Sequence, residues 1–587
     1  MLYLIINTGK KRKSCLVVQD FDKYSRKTLT VSGLIVPVFK GMRVGLEISS
    51  SRDILDFSIT LDDTPTGKAN QTVLRNNGID IGKYREDLDT CLGFRKTCEK
   101  AGCSPNKFSW ETLRETKGNF YDILPFSEAD KYYKKAGGNA KSGIRMSAIA
   151  KEILAVQRGR RAVRYSIEEF LNTFEEVEKK GSFPHLSMTD KLLLLGNKAF
   201  STENGNVVDV EMLKKEKFVN ENIAGRVKNG SPLFDKDDII RFISSQDFEL
   251  DDEQLYAVTC LTSTKPAVIT GGAGSGKTRT IRAIVECFSF FENPEDILLI
   301  APTGKAARRM TEQTGYSAFT IHRALRKAIE DDFLYFNNNR KLPHLLIVVD
   351  ESSMVDTALM YDLLNAVRAD AKIIFVGDSN QLKPVCYGEP FFDFQKGVVP
   401  VYKFTKNHRQ AEGTDIAKVA NDVLNGGYAV CGKGVRVEII DKMDIPQILY
   451  DFDDKDTQFI SPRRTICDMA NNVLKKSEDV KFSKGDKVIF NKNHKDWCNG
   501  DMGIITDITE GGIFVFVNGH NVFVEDKLLK FTTEIDLGYC ITVHKMQGSE
   551  CKRVVIFLEK GNSFDEGVSM LYTAITRARE SVHLYYY

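Results

Sequence analysis

The chain has 587 residues, 42% of them hydrophobic and 28% charged, with a formal net charge of +2. At that length several compact units are expected, and the composition excludes a disordered, collagen-like or disulfide-stapled chain. A charge so close to zero makes no case for a polyanion partner, so any such surface has to come from local placement of basic groups. Twelve cysteines stand singly. Cys98 and Cys103 lack a second pair or nearby histidines, which points to reduced thiols in a cytosolic protein. The opening "MLYLIINTGKKRK" puts its apolar run before its basic run, the reverse of a secretory signal, and no apolar stretch has membrane-spanning length. A cytoplasmic location follows, that of the host cell for a viral or phage chain. Lys10 to Lys13 read as a basic hairpin turn, with a nuclear-localisation patch as the alternative.

From residue 1 to about 60 the pattern alternates and is β-branched, as in "KTLTVSGLIVPVFKGMRVGLEIS", and predicts a small β-unit. From 61 to 246 helical periodicity takes over, in "IRMSAIAKEILAVQ" after Ser142 and in "SIEEFLNTFEEVEKK" opened by Ser166. The "RGRRAVR" between them is read as a solvated loop, the alternative being a phosphate-contacting patch. After Phe248 apolar runs of strand length alternate with helices. "PAVIT", "DILLIAP", "LLIVVDE" and "AKIIFVGD" each end in small, polar or acidic residues, as central parallel strands do at their carboxyl ends. The predicted class is therefore α/β, with one such domain over 247–400 and a second over 401–483 and 526–587. That second domain carries "TQFISP", "GYCITVH" and "KRVVIFLE". Short Gly-punctuated strands at 484–525 predict a small barrel-like insertion.

"VITGGAGSGKTRT" fits the phosphate-binding template G-x-x-x-x-G-K-[ST] between a strand and a helix. Gly271, Gly272, Ala273, Gly274, Ser275 and Gly276 would turn backbone N–H groups toward phosphates, with Arg279 just beyond in the helix. Lys277 would supply a point charge and Thr278 a hydroxyl ligand for Mg²⁺. In "LLIVVDESSMVD" a strand runs into Asp350, placed for Mg²⁺, and Glu351, placed to orient or deprotonate the attacking water. The alternative is a pair of acids capping the next helix. "VGDSNQLKPV" offers Gly377, Asp378 and Gln381 at a strand end, the last as an amide within reach of a γ-phosphate. "NHRQ" offers Arg409, and "LYTAITRARES" offers Arg577 and Arg579, as transition-state arginines. A lone arginine is more often a surface residue. The implied cofactors are ATP and Mg²⁺.

The motif order "FELDDEQLYAV", "GGAGSGKT", "APTGKAARRM", "AFTIHRAL", "VVDESSMVD", "VGDSNQLKPV", "NHRQ", "TVHKMQGSE" and "YTAITRARE" resembles the RecD-like group of superfamily 1B DNA helicases. The likeness covers Phe248 to the last residue. Upstream, "FYDILPFSEADKYYKKAG" and "YSIEEFL" are similar to the N-terminal region of the longer RecD-like proteins, but "GIDIGKY" and "LPFSEAD" lack the full tandem glycine turns of its helix-hairpin-helix elements. The resemblance implies two RecA-like domains with an inserted SH3-like β-barrel and an N-terminal β plus helical accessory region. It also implies ATP-driven, 5′-to-3′ translocation on single-stranded DNA. Gln254 would read adenine, and Gly548 and Glu550 would face the nucleotide. Thr303, Lys305, Thr320, His322, Thr542, His544 and Lys545 would contact the strand, and Gln381 would link the two sites. A strand-splitting pin is implied at 331–343, where Phe333–Phe336 and Arg340–Leu342 could pair across Asn337–Asn339, the alternative being an ordinary exposed loop. The expected partners are single-stranded and forked DNA and a single-strand-binding, replication or recombination protein, with the chain itself a monomer. The sequence leaves open an RNA-directed helicase and a non-translocating DNA-dependent ATPase subunit.

Overall fold

Short apolar runs separated by helices have one compact arrangement open to them, a parallel sheet buried on both faces and crossed by the helices. A computed structural model describes residues 2–8, 15–20, 26–30, 42–48, 54–59, 61–82, 84–85, 88–90, 97, 121, 124, 126–135, 143–159, 163–179, 191, 194, 199–203, 206–329, 332–397, 399–406, 408, 414–426, 429–477, 480–492, 494, 496–525, 535–560 and 567–587. It contains that arrangement twice. The first sheet has the order Ala318–Thr320, Ile297–Ala301, Leu346–Val349, Lys372–Gly377, Ala267–Gly271, Val401–Phe404, all parallel. The second runs Val435–Ile439, Ala578–Tyr586, Cys551–Leu558, Thr457–Ser461, Cys540–Thr542, again all parallel. Strands Ala267–Gly271, Leu346–Val349 and Lys372–Gly377 are buried at every position. Continuous apolar runs are the signature of a strand covered on both faces.

Two boundaries differ from the sequence reading. Val401–Phe404, expected to open the second domain, is an edge strand of the first, where it hydrogen-bonds alongside the phosphate-loop strand. Helix Val210–Asn229, expected in the accessory region, sends Val219 and Ile223 into the core beneath the first parallel sheet, with Phe218 edge-on to Tyr361 at 4.9 Å. The chain accordingly divides near residue 210: 1–157 with 164–210, and 158–163 with 211–587.

The insertion is a five-stranded antiparallel sheet in the order His520–Glu525, Gly512–Val517, Met502–Thr509, Lys487–Phe490, Ile535–Leu537. Its last strand lies beyond the expected limit at 525. Trp497 is 2% exposed and stacks on Phe490 at 4.7 Å and on His494 at 4.1 Å, so one side chain fills much of this small core. The hairpin also lies elsewhere than expected. Arg326–Ile329 pairs with Asp332–Tyr335, and only an isolated bridge joins Asn337 to Arg340. Asn337 explains the shift: its side-chain oxygen accepts from the Asn339 N–H at 2.9 Å, which closes a local turn with no room for a ladder around it.

The N-terminal unit contains an antiparallel sheet in the order Arg26–Thr30, Cys15–Asp20, Leu2–Thr8, Arg43–Ile48, Ile54–Ile59. Helices follow, including Gly143–Gly159 and Ile167–Lys179. Ser166 caps the second as expected: its hydroxyl accepts from the Glu169 N–H at 3.1 Å and the Glu169 carboxylate accepts from the Ser166 N–H at 2.7 Å. A small sheet of Arg164–Ser166, Asn206–Asp209 and Phe200–Glu203 was not expected in this helical stretch. Its strands are too short for a period to register. Phe170 lies edge-on to Phe174 at 4.9 Å and to Phe200 at 5.2 Å, joining helix to sheet. Among the described residues no helix is long and apolar enough to cross a membrane.

Trp497→Ala should cost about 3–5 kcal/mol of local stability, because the cavity left in so small a core cannot close. Hydrogen exchange of the amides in Lys487–Phe490 and Met502–Thr509 measures it. Protection reduced by less than about 1 kcal/mol would mean that Trp497 does not hold this core together.

Candidate functional site

The loop between strand Ala267–Gly271 and helix Lys277–Phe291 is shaped by two glycines in the left-handed region, Gly274 at φ 79° and Gly276 at φ 82°. A Cβ on Gly276 would stand 2.1 Å from Gln254 Nε2, and one on Gly271 would stand 2.8 Å from Phe404 Cβ. Only backbone fits there, with the helix N-terminus behind it. Lys277 Nζ donates to the Gly271 and Gly272 carbonyls at 2.7 and 2.9 Å. Ser275 Oγ is buried with no hydrogen-bond partner. A cradle of backbone N–H groups, a lysine folded onto carbonyls and an orphaned hydroxyl fit a nucleotide phosphate chain. Thr278 lies in the first turn beside them.

Strand Leu346–Val349 delivers the acids. The Asp350 N–H donates to the Ile300 carbonyl at 2.9 Å and the Asp350 carboxylate accepts from the Glu351 N–H at 2.8 Å. Glu351 itself sits at φ 49°, which costs a residue with a Cβ about 1–2 kcal/mol. Burial raises the Asp350 carboxyl above its ordinary range and Glu351 adds to it, while Lys277 and Arg309 pull the other way. A buried acid whose charge is penalised, with a second acid next to it in the chain, fits a divalent cation, and Asp350 with Thr278 would hold it.

The segment after strand Lys372–Gly377 reaches across to the second domain. Asp378, 1% exposed, accepts from the Tyr572 hydroxyl at 2.8 Å and lies 3.4 Å from Gln381 Nε2. Burial, then Asp378, drives the Tyr572 phenol upward, so it stays a donor. Gln381 Oε1 is buried and unpartnered. The Leu382 N–H donates to Thr573 Oγ1 at 3.1 Å and the Leu382 carbonyl accepts from Gln547 Nε2 at 3.4 Å. A cavity of about 190 Å³ opens between the domains, lined by Gly272, Ser275, Asn380, Tyr572 and Arg579 among others.

Gln254 is fully buried at the end of a capping box: its N–H donates to Asp251 Oδ1 at 2.9 Å and its Oε1 accepts from the Asp251 N–H at 3.3 Å. Its Nε2 donates to the Ser275 carbonyl at 3.2 Å and lies 3.1 Å from His408 Nε2, which is itself 2.9 Å from Asp251 Oδ2. A neutral ring nitrogen serves only one of those two partners at a time. The His408 N–H also donates to the Gly274 carbonyl at 3.0 Å. Arg409, the expected arginine next to it, lies outside the described residues. Arg577 is 3% exposed and donates to the Thr573 carbonyl at 2.9 Å, the Ser549 carbonyl at 3.4 Å and Thr576 Oγ1 at 3.2 Å. Its guanidinium is thus turned into its own domain. Arg279 Nη1 donates to the Glu249 carbonyl at 2.8 Å.

The three threonines expected on the strand share one local role. Thr303, Thr320 and Thr542 each follow a parallel strand or end one, and each caps the next helix by accepting from the N–H of Ala306, Arg323 or Lys545. His322 is exposed beside Thr320. Burial lowers the Lys305 ammonium below its usual range. Lys545 donates to Asn491 Oδ1 at 2.9 Å. From Thr542 to Glu550 the chain threads between the domains. Gly548, at φ 71°, comes against Thr303 and Ala306, and Glu550 pairs with Arg309 of the first domain at 2.9 Å and Arg579 of the second at 3.0 Å. Arg308 next door grips Asp501 of the insertion with two nitrogens at 3.2 and 3.0 Å.

Sequence reasoning passed over Tyr572, His408, Arg308 and Arg309. All four stand inside quoted motifs, and the signal available was a polar side chain at a strand end or on a helix whose neighbours were already assigned.

Residues 254–387 match the AAA domain family and residues 537–585 the UvrD-like helicase C-terminal domain family. The chain is similar to the ATP-dependent RecD2 DNA helicase of Deinococcus radiodurans, 30% identical over 352 residues, covering 56% of this chain and 48% of that protein. It thus spans about half the length of that relative. It is 28% identical over 397 residues to the RecBCD enzyme subunit RecD of Mycolicibacterium smegmatis, covering 57% of this chain and 70% of that one. A solved structure of two Pif1 helicases at forked dsDNA aligns with 58% of this chain and 92% of its own at 20% identity and a TM-score of 0.40. In its motif order, its family matches and its RecD relatives, the chain is similar to the RecD-like group of superfamily 1B helicases.

Proposed function

We propose that the protein is an ATP-driven DNA helicase that moves along single-stranded DNA, 5′ to 3′, in replication, recombination or repair. The observation that carries this reading is the course of Thr542–Glu550. One segment caps a helix with Thr542, reaches the Leu382 carbonyl through Gln547 and pairs with Arg309 through Glu550, so the expected strand contacts and the nucleotide cleft share a single connector. The likeness to RecD proteins supports the polarity and the choice of DNA. The two parallel sheets act as motor domains and the inserted antiparallel sheet as an SH3-like module.

ATP entering the cleft gives Lys277 phosphate oxygens in exchange for the Gly271 and Gly272 carbonyls. A divalent cation held by Thr278 and Asp350 supplies charge neutralisation across the phosphates when bound. Glu351 accepts the proton of the attacking water. Gln381, held by Asp378 and backed by Tyr572, turns its amide toward the γ-phosphate. Arg577 approaches from the second domain as charge develops in the transition state, the role also expected of Arg409. Closure draws Leu382 and Gln547 together, and Thr542–Lys545 moves with them along the strand. Hairpin 326–335, between the expected strand contacts at Thr320 and His322 and the Asp350 strand, acts as the wedge.

Lys277→Ala should abolish ATP turnover and leave strand binding without nucleotide intact; hydrolysis retained above about a tenth of the parent rate in an ATPase assay would contradict its role. Gly276→Ala should weaken ATP binding about tenfold, since the left-handed φ alone costs about 1–2 kcal/mol and Gln254 must also be displaced. Titration with a fluorescent ATP analogue reads this, and an unchanged affinity would sink the cradle argument. Replacing 326–335 with a short Gly/Ser link should spare DNA-stimulated ATPase and streptavidin displacement from biotinylated single strands but abolish fork unwinding. Each base pair, at about 1.4 kcal/mol of stacking, needs an obstacle in its path. Unwinding at an unchanged rate would remove the wedge role, and no streptavidin displacement by the parent would favour a non-translocating ATPase. Stronger stimulation by RNA than by a matched DNA strand would favour the RNA-directed reading.

A further inference from the structure

A cavity of about 390 Å³ in the second parallel-sheet domain is lined by Arg464, Asn471, Lys475, Thr542 and Lys545, and also by two cysteines, Cys467 and Cys540. Cys467 lies on helix Arg464–Leu474 and Cys540 opens strand Cys540–Thr542. Both are unbonded thiols, 4% and 1% exposed. One turn beyond Cys467, Asn471 clamps the helix to the strand: its Nδ2 donates to the Cys540 carbonyl at 3.0 Å and its Oδ1 accepts from the Cys540 N–H at 2.9 Å. That clamp holds Cys540 against the turn of helix that carries Cys467, whose S–H donates to the Ser461 carbonyl at 3.8 Å. The neighbouring Cys540 thiol holds Cys467 below its ordinary range, while burial pushes Cys540 upward. Such asymmetry divides a pair into an attacking sulfur and a resolving one. The usual role of a buried cysteine is that of a small apolar filler. A filler needs neither a second thiol on the neighbouring element nor a place in the wall of a cavity.

We propose that Cys467 and Cys540 form a reversible dithiol–disulfide site at the floor of this cavity, oxidised by peroxide and reduced by a dithiol. The Cys467 thiolate attacks one peroxide oxygen and the O–O bond breaks, leaving a sulfenic acid on Cys467 and releasing hydroxide. The Cys540 sulfur then displaces the sulfenic oxygen, and its proton leaves with that oxygen as water. Two electrons pass from the thiols to the peroxide. An S–S bond, at about 2.05 Å, is shorter than any non-bonded sulfur contact, so closing it draws helix Arg464–Leu474 onto the strand that ends in the Thr542 cap. The cavity wall carrying Thr542 and Lys545 is then fixed. This functional half rests on the reading of Thr542–Lys545 as strand-contacting; the chemical half does not.

The test treats the full chain with hydrogen peroxide and digests it for mass spectrometry, with ATPase measured with and without single-stranded DNA before and after a dithiol reductant. The expected result is a Cys467–Cys540 cross-linked peptide two hydrogens lighter than the separate peptides. Strand-stimulated turnover should be lost, basal turnover kept, and stimulation restored on reduction. Cys467→Ser and, separately, Cys467→Ala should keep stimulation under peroxide, which guards against a folding defect in Cys540→Ser. Absence of the cross-linked peptide overturns the site, as does a cross-link that leaves stimulation unchanged in a parent that DNA stimulates. A reduced parent that no strand stimulates would count against the helicase reading, and the peptide result would still judge the thiol chemistry.

Discussion

Burial of parallel strands on both faces is the constraint on which the rest of this molecule depends. A strand such as Leu346–Val349, buried at every position, has no side for a polar group, so chemistry can only sit where the strand stops. The phosphate loop, Asp350 with Glu351, Asp378 with Gln381, and Thr303 all follow a carboxyl end of the first sheet, and Thr542 ends a strand of the second. One geometric rule therefore assembles residues far apart in sequence along a single rim. The same rule accounts for Glu351 at positive φ, because a chain leaving a buried strand into a crowded rim turns sharply.

A second layer of organisation lies in the contacts between the two rims. The Leu382 backbone bonds to Thr573 and Gln547, Asp378 holds Tyr572, and Glu550 bridges Arg309 and Arg579. Several of these groups are almost wholly buried, so each partner left alone would carry the cost of an unsatisfied polar atom. Movement of one domain against the other must exchange these bonds together, which favours two discrete arrangements over a continuum. Arg308 and Arg309 are adjacent on one helix yet hold different bodies, Asp501 of the insertion and Glu550 of the connector. Any shift of that helix is felt by both.

Several side chains are engaged with protein groups where a ligand would take them. Lys277 rests on its own loop carbonyls, Arg577 on those of Thr573 and Ser549, and Gln254 on Ser275 and the Asp251 cap. Satisfied bonds keep these charges and amides from standing bare in a buried cleft, and a ligand entering there would have to exchange them. Ser275 Oγ and Gln381 Oε1, by contrast, are buried without partners.

By itself the sequence determined what is local. The spacing of Gly271, Gly276, Lys277 and Thr278 and the strand ending in Asp350 were legible because a strand, a turn and a helix cap are written in adjacent residues. So was the Ser166 cap. Tertiary structure decided what depends on distant chain. Val401–Phe404 reads as the opening of a new domain until it is found bonded to the phosphate-loop strand, and Val210–Asn229 reads as accessory until Val219 and Ile223 enter the first domain's core. The hairpin register turned on the Asn337 side chain closing its own turn. The turning of Arg577 into its own domain, the pairing of Glu550 with two arginines and the meeting of Cys467 with Cys540 leave no trace in any window of sequence. Each is set by which strand neighbours which in a sheet, and that order is fixed by long-range burial rather than by any residue's immediate neighbours.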